Sequence, residues 1–181
     1  MSDDSIRSAP VETVWEGRFV AVRRQGSWEY VERSRGLQAA VIVAIDADAD
    51  GDCVILIEQY RVPLGQVCLE LPAGLVGDEQ EGETVEHSAA RELEEETGYR
   101  AGRIESLGEF YSTPGLSSER FTLVRATDLT KIGDGGGTPE EDIVVRRVKL
   151  SELPDFVAAK RREGLAIDVK LLLLLAPALL G

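Results

Sequence analysis

An α/β fold carrying a small antiparallel β extension at its N-terminus is the architecture this sequence predicts, and three features predict it. Two apolar runs rich in β-branched residues, Leu37–Ile45 and Cys53–Tyr60, are separated by the turn-forming DADADGD and read as a central hairpin. Between Glu83 and Thr97 the apolar spacing changes to that of a helix, and strand-like runs resume after Gly98. A chain of 181 residues with 43% hydrophobic and 29% charged composition is long enough for one domain with a sizeable core.

Taken in order, residues 1–9 offer little apolar surface and are expected to form a frayed, disordered tail. Residues 10–36 carry short β-like runs (Val14–Trp15, Phe19–Arg23, Trp28–Val31) separated by Gly17 and Gly26, which predicts a three-strand meander able to pair with a neighbouring subunit. Residues 37–181 form the main domain. After the hairpin, Val67–Leu71 is a short strand ended by Pro72, Ala73 and Gly74. In the helix that follows, Ala89, Ala90, Leu93 and Thr97 share one side, and Gly98 stops it. Ile104–Tyr111, Phe121–Ala126 and Ile143–Leu150 read as strands, Gly133–Gly137 as a flexible loop, and Ser151–Arg162 as an amphipathic helix capped by Ser151. The apolar tract Leu171–Leu180 is broken by Pro177 and falls short of the ~20 residues a membrane span needs, so it predicts a buried terminal helix or a subunit contact.

Lys and Arg number 20 against 33 Asp and Glu, a formal charge of −13. Such a surface disfavours nucleic acid and anionic membranes as partners. A small anionic substrate stays compatible, because bound cations and a few arginines can reverse the local field. Cys53 and Cys68 have no C-x-x-C partner and lie in apolar stretches, so they are expected to be reduced core residues. The polar start MSDDSIRSAPVE has no secretory pattern, and the expected compartment is cytoplasmic.

The chemistry concentrates on the first helix. Glu92, Glu95 and Glu96 fall within an arc of roughly 100° at helical spacing, so their carboxylates crowd one face. Like charges so placed cost a helix roughly 0.2–0.5 kcal/mol per pair, and a hard divalent cation is the simplest group to relieve them.

Gly77, Glu83, Arg91, Glu92, Leu93, Glu95, Glu96 and Gly98 fit the pattern G-x5-E-x7-R-E-U-x-E-E-x-G-U, with U bulky and apolar. This resembles the signature of the Nudix hydrolases, with Tyr99 replacing the final aliphatic. From about Leu37 to Ile143 the chain resembles the family's sugar-nucleotide branch, in which the signature starts at the glycine of a P-A-G tripeptide. Here that is Gly74, and Gly77 fits by spacing, so both registers stay open. The resemblance implies a Nudix-type α/β/α sandwich with a mixed sheet. It implies Mg²⁺ as cofactor, two or three ions with Mn²⁺ able to substitute, held by the Ala73 carbonyl, Glu92, Glu96 and Glu141. Glu95 would add charge, and Arg91 and Glu83 would brace the loop and helix. A carboxylate that orients or deprotonates water is sought in Glu140, Glu141 and Asp142; Pro139 stands where relatives carry that base, so either Glu140 swings in or the metals alone activate the water.

Glu58-Gln59-Tyr60-Arg61 resembles the E-Q-x-R strand end that sets an arginine against substrate phosphates, a task for which the planar guanidinium of Arg61 is suited. Pro114, followed by Gly115, stands at the offset that marks the ADP-ribose branch. The N-terminal strands resemble those of dimeric members, which makes the chain an expected homodimer and Trp28 a candidate for stacking on adenine. The implied activity is hydrolysis of the pyrophosphate bond of nucleoside diphosphate sugars, ADP-ribose foremost. GDP-mannose or a broad sugar-nucleotide range is the alternative, and a non-catalytic ADP-ribose sensor on the same scaffold is an alternative of another class.

Overall fold

The computed structural model describes residues 3–34, 36–77, 82–138 and 141–180. Three antiparallel strands, β1 (Val11–Glu16), β2 (Val20–Gln25) and β3 (Trp28–Arg33), form the predicted meander. The expected frayed segment contains a short helix, α1 (Asp3–Arg7).

The main sheet has eight strands: β4 (Ala39–Asp46), β5 (Cys53–Arg61), β6 (Gln66–Glu70), β7 (Ala73–Leu75), β8 (Tyr99–Tyr111), β9 (Arg120–Lys131), β10 (Val144–Lys149) and β11 (Ala166–Ile167). It is mixed: β4–β9 and β6–β11 are parallel, and the other pairs antiparallel. Three helices cover it, α2 (Val85–Thr97), α3 (Leu153–Arg162) and α4 (Leu172–Leu180).

Burial follows the two-residue alternation of strands. Ala40, Ile42 and Ala44 of β4 pack with Ala89 and Leu93 of α2, while Val41 and Val43 pack with Val157 of α3 and Leu175 of α4. Both faces of β4 are therefore covered, which is why it reads as a continuous apolar run and why the architecture is the expected α/β/α sandwich. Cys53 and Cys68 are free and buried within it. Among the described residues, no helix is long and apolar enough to cross a membrane.

One departure from regularity places the site. β4 pairs with β5 only through Ala44–Asp46, and the two strands then part. The segment β6–β7 fills the fork: it runs along β5 from Arg61 to Ile57, turns at Leu71-Pro72, and runs along Ala39–Val41 of β4. Ile42 N–H donates to Pro72 O at 2.9 Å, closing the bend. Ala73 and Gly74 thus lie where the sheet splits.

The helix ends follow their capping chemistry. Thr84 accepts from the His87 N–H at the start of α2, and Gly98 (φ 69°) ends it in the left-handed conformation. Ser151 does not cap α3. That helix begins one residue later, after Glu152, with no side-chain cap and with Pro154 in its first turn, where a missing N–H costs nothing.

Candidate active site

The close approach of α2 to β7 sets the geometry. A Cβ on Gly74 would overlap the Glu92 carboxylate, so the glycine leaves the room in which that side chain lies against the strand. One residue earlier, the Ala73 N–H donates to Glu96 Oε2 at 3.0 Å. Gly77 serves a different purpose: at φ 80° it turns the chain, and its N–H reaches Glu83 Oε2 at 3.4 Å. Both candidate glycines are therefore used, Gly74 for the helix contact and Gly77 for the brace.

Arg91 is the hub of that brace. It meets Glu83 Oε1 at 3.4 Å, Glu92 Oε1 at 3.0 Å and Glu95 Oε2 at 3.1 Å. Burial works against a charge on Glu83, yet the Arg91 and Gly77 donors win and hold its carboxyl below the ordinary value. Exposed His87 lies beside it, with Nδ1 at 3.3 Å from Glu83 Oε1.

Glu96 behaves in the opposite way. It is 4% exposed, and burial pushes its carboxyl up to about 8; the Ala73 N–H and Arg61 oppose the rise, while the charges of Glu92 and Glu141 add to it. Three carboxylates therefore share one electrostatic neighbourhood.

Glu141 gets there through a loop that is packed rather than flexible, contrary to the reading of Gly133–Gly137 from composition. The N–H groups of Gly136 and Gly137 donate to the Glu96 and Glu95 carbonyls at 2.8 and 3.1 Å, completing the C-terminus of α2. A Cβ on Gly135 (φ 72°) would collide with the main chain of Thr97, so the loop can lie on the helix end only without side chains there. Glu141 then accepts from the Thr138 N–H at 2.7 Å. Glu140 and Pro139 lie outside the described residues.

Arg61 ends β5. Its Nε and Nη2 donate to the two oxygens of Glu70 at 2.7 and 2.9 Å, and the guanidinium stays 40% exposed. The pair is a product of register: Arg61 and Glu70 lie on one face of the β5–β6 ladder, four residues apart along it. Sequence reasoning singled out Arg61 without its partner, because only the pairing reveals it.

The other named residues meet elsewhere. Trp28, Pro114 and Gly115 line one cavity of about 340 Å³ with Tyr30, Gln25 and Ile6. It forms because β3 docks on the 113–118 turn, the Val31 N–H donating to Leu116 O and the Ser118 N–H to Val31 O, both at 3.0 Å. A second cavity of about 390 Å³ touches it at Ser118 and is walled by Arg33, Tyr111, Glu119 and Arg120. Glu92, Glu96 and Glu141 line neither cavity. The structure thus groups the sequence-named residues into a carboxylate centre and a separate aromatic cavity.

The NUDIX domain model matches residues 36–166, which is most of the chain. The chain belongs to the Nudix hydrolase family. It is 34% identical over 153 residues to a Nudix hydrolase of Schizosaccharomyces pombe, covering 80% of this chain and 73% of that protein. It is likewise 34% identical over 119 residues to the ADP-ribose pyrophosphatase of Bacillus subtilis, covering 65% of this chain and 63% of that one. A crystal structure of an ADP compounds hydrolase superposes with a TM-score of 0.67 at 26% identity, over 95% of this chain and 92% of the other.

Nudix hydrolases generally use divalent metals, and the donor chemistry here fits one. The side chains offer hard carboxylate oxygens, and burial of the Glu96 carboxyl outweighs the Ala73 N–H and the Arg61 charge that favour its ionised form. Among the described residues no three acidic, His or Cys side chains converge into a closed metal cage. Glu92 instead leans on Arg91.

Proposed function

We propose that this chain hydrolyses the pyrophosphate bond of nucleoside diphosphate sugars in a Mg²⁺-dependent reaction, with ADP-ribose and water giving AMP and ribose 5-phosphate. The observation that carries the reading is the geometry of the sheet fork, where the buried Glu96 carboxyl accepts from the Ala73 N–H at 3.0 Å and Gly74 lies against Glu92 on the same helix. Glu92, Glu96, Glu141 and the Ala73 carbonyl are the residues that would hold two or three Mg²⁺ ions, with Mn²⁺ as a substitute. Bound cations of this kind neutralise diphosphate oxygens and make a nearby water more acidic. Arg61, already oriented by Glu70, presents its open guanidinium edge to a phosphate. Glu95 adds negative charge next to Glu92, and Arg91 keeps both from splaying. Glu140 and Glu141 are the residues proposed to orient the attacking water. Trp28 stacks on the base, and Pro114 and Gly115 help to line its cavity.

The reading extends to a cytoplasmic homodimer. Every residue of β1 is exposed, and Val11, Val14, Trp15 and Phe19 are each more than half exposed, an apolar face suited to a second copy of the chain. A panel of ADP-ribose, ADP-glucose, GDP-mannose, diadenosine polyphosphate and NADH, assayed with Mg²⁺, tests the substrate. ADP-ribose is expected to give the highest kcat/KM; preference for diadenosine polyphosphate or NADH overturns the assignment. Binding of ADP-ribose without any product would make the chain a sensor.

A further inference from the structure

The cavity around Trp28 has a wall that the Nudix signature does not supply. α1 carries Ile6 into its lining, together with Pro114 and Gly115. A helix of five residues has no stability of its own, so the rest of the molecule holds it there. Gln25 is the latch: its side-chain amide Nε2 donates to the main-chain carbonyls of Ala9 at 3.0 Å and Arg7 at 3.4 Å. The Ala9 N–H closes the turn on Ile6 O at 3.2 Å. The tight turn between β2 and β3 is the platform beneath. A Cβ on Gly26 would lie 3.7 Å from Ile6 Cγ1 and 3.8 Å from Ala9 Cβ, which is ordinary packing distance.

In this segment Ser5 and Arg7 are exposed and Ile6 is half-buried. Such elements open at small free-energy cost. Its one large apolar side chain is spent on a cavity rather than on a core: Ile6 belongs to neither apolar cluster of the sandwich. The cavity it walls combines the indole of Trp28, the ring of Tyr30 and the pyrrolidine of Pro114, chemistry that suits a flat aromatic base.

We propose that Asp3–Arg7 is a strap whose Ile6 closes the Trp28 cavity over the base of the substrate, making Ile6 a residue that sets affinity for the nucleotide end. The proposal rests on the functional reading above and adds a part to it that lies outside the matched domain, residues 36–166. Ile6 touches no reacting atom and acts on binding alone.

The test uses the whole 181-residue chain. In a Trp15→Phe background Trp28 is the sole tryptophan, and AMP is titrated against its fluorescence. Ile6→Ala should weaken AMP binding and raise KM for ADP-ribose about tenfold, with kcat changed less than about twofold, as expected for losing one buried aliphatic contact. Ile6→Leu should restore both to within about threefold. If AMP quenches Trp28 but Ile6→Ala leaves binding and KM within twofold, the strap is overturned and the base cavity stands. If AMP leaves Trp28 unchanged while ADP-ribose is still hydrolysed, the base lies elsewhere, and the strap falls with the cavity although the hydrolase reading survives.

Discussion

Glu58 and Glu96 are both buried glutamates, 8% and 4% exposed, and they titrate in opposite directions. Glu58 is satisfied: Arg146 donates to it twice, at 2.9 and 3.0 Å, and Lys160 stands 3.1 Å away. The Arg146 hydrogen bonds outweigh burial and hold its carboxyl below the ordinary range. At Glu96 burial, with the like charges of Glu92 and Glu141, outweighs one main-chain donor and the more weakly acting Arg61, and its carboxyl rises to about 8. The first fastens β10 and α3 to the central strand. The second is the proposed cation ligand, and a perturbed carboxyl of this kind marks a candidate site where the first marks a strut.

Substitution separates the two most sharply. Glu96→Gln should lower kcat by about 10³-fold, a loss typical of removing a principal electrostatic group, while the far-ultraviolet spectrum and Tm are retained. An unchanged kcat would remove Glu96 from the mechanism. Glu58→Gln should do the reverse. It should cost about 1–3 kcal/mol of stability, a range kept low because Arg146 is 39% exposed, and leave kcat of the folded protein within about threefold.

Acidity sharpens the contrast, with opposite signs in metal-free protein. Glu96 has a folded value raised above the unfolded one, so its contribution to stability is complete below the ordinary carboxylate range and is lost as pH climbs toward about 8. Glu58 has a depressed folded value, so its contribution is present above the ordinary range and is lost as pH falls through the lowered value. Thermal unfolding in chelator from pH 3 to pH 9 should therefore show stability eroding at both ends. Glu96→Gln should flatten the alkaline side alone, and Glu58→Gln the acid side alone. Loss of both slopes in either variant would show that the two groups do not act separately.

The same two regions mark how far a sequence can be read. The carboxylate helix was legible because period and caps agree: Thr84 starts it, Gly98 stops it, and Ala89, Leu93 and Thr97 are all buried. β4 and β5 were legible because both faces of each are covered and the apolar runs are unbroken. β7 was not, because three residues after a proline carry no period; only the fork in the sheet makes Ala73–Leu75 a strand. β8 begins at Tyr99, five residues before the expected start, because its first pairs with β9 alternate with exposed residues such as Arg100 and Arg103. Composition also misled at Gly133–Gly137, where glycine serves close approach and not freedom of movement.

That loop offers a break between geometry and chemistry. Gly135→Ala places a Cβ against the Thr97 main chain at φ 72° and should destabilise the fold by about 1–3 kcal/mol. It should also lower kcat, since the loop that lies on α2 is the one that delivers Glu141. Gly51 makes the control: it too has positive φ, 114°, but nothing stands within 4 Å of its Cβ position, and the DADADGD turn is far along the chain from Glu141. Gly51→Ala should carry the backbone cost without the loss of kcat, measured by denaturant melts and initial rates on the same preparations.

The aromatic cavity yields the smallest effect and the most specific one. Trp28 is 54% exposed and makes no part of either apolar core, so replacing it with alanine should leave Tm close to that of the parent. Stacking one base on an aromatic ring is worth about 1–3 kcal/mol, so KM for ADP-ribose should rise about tenfold while kcat holds. Trp28→Phe should recover most of that, because a phenyl face still stacks. A fall in kcat with KM unchanged would place Trp28 in the chemistry of the carboxylate centre, and would dissolve the division between a region that binds the base and a region that breaks the bond.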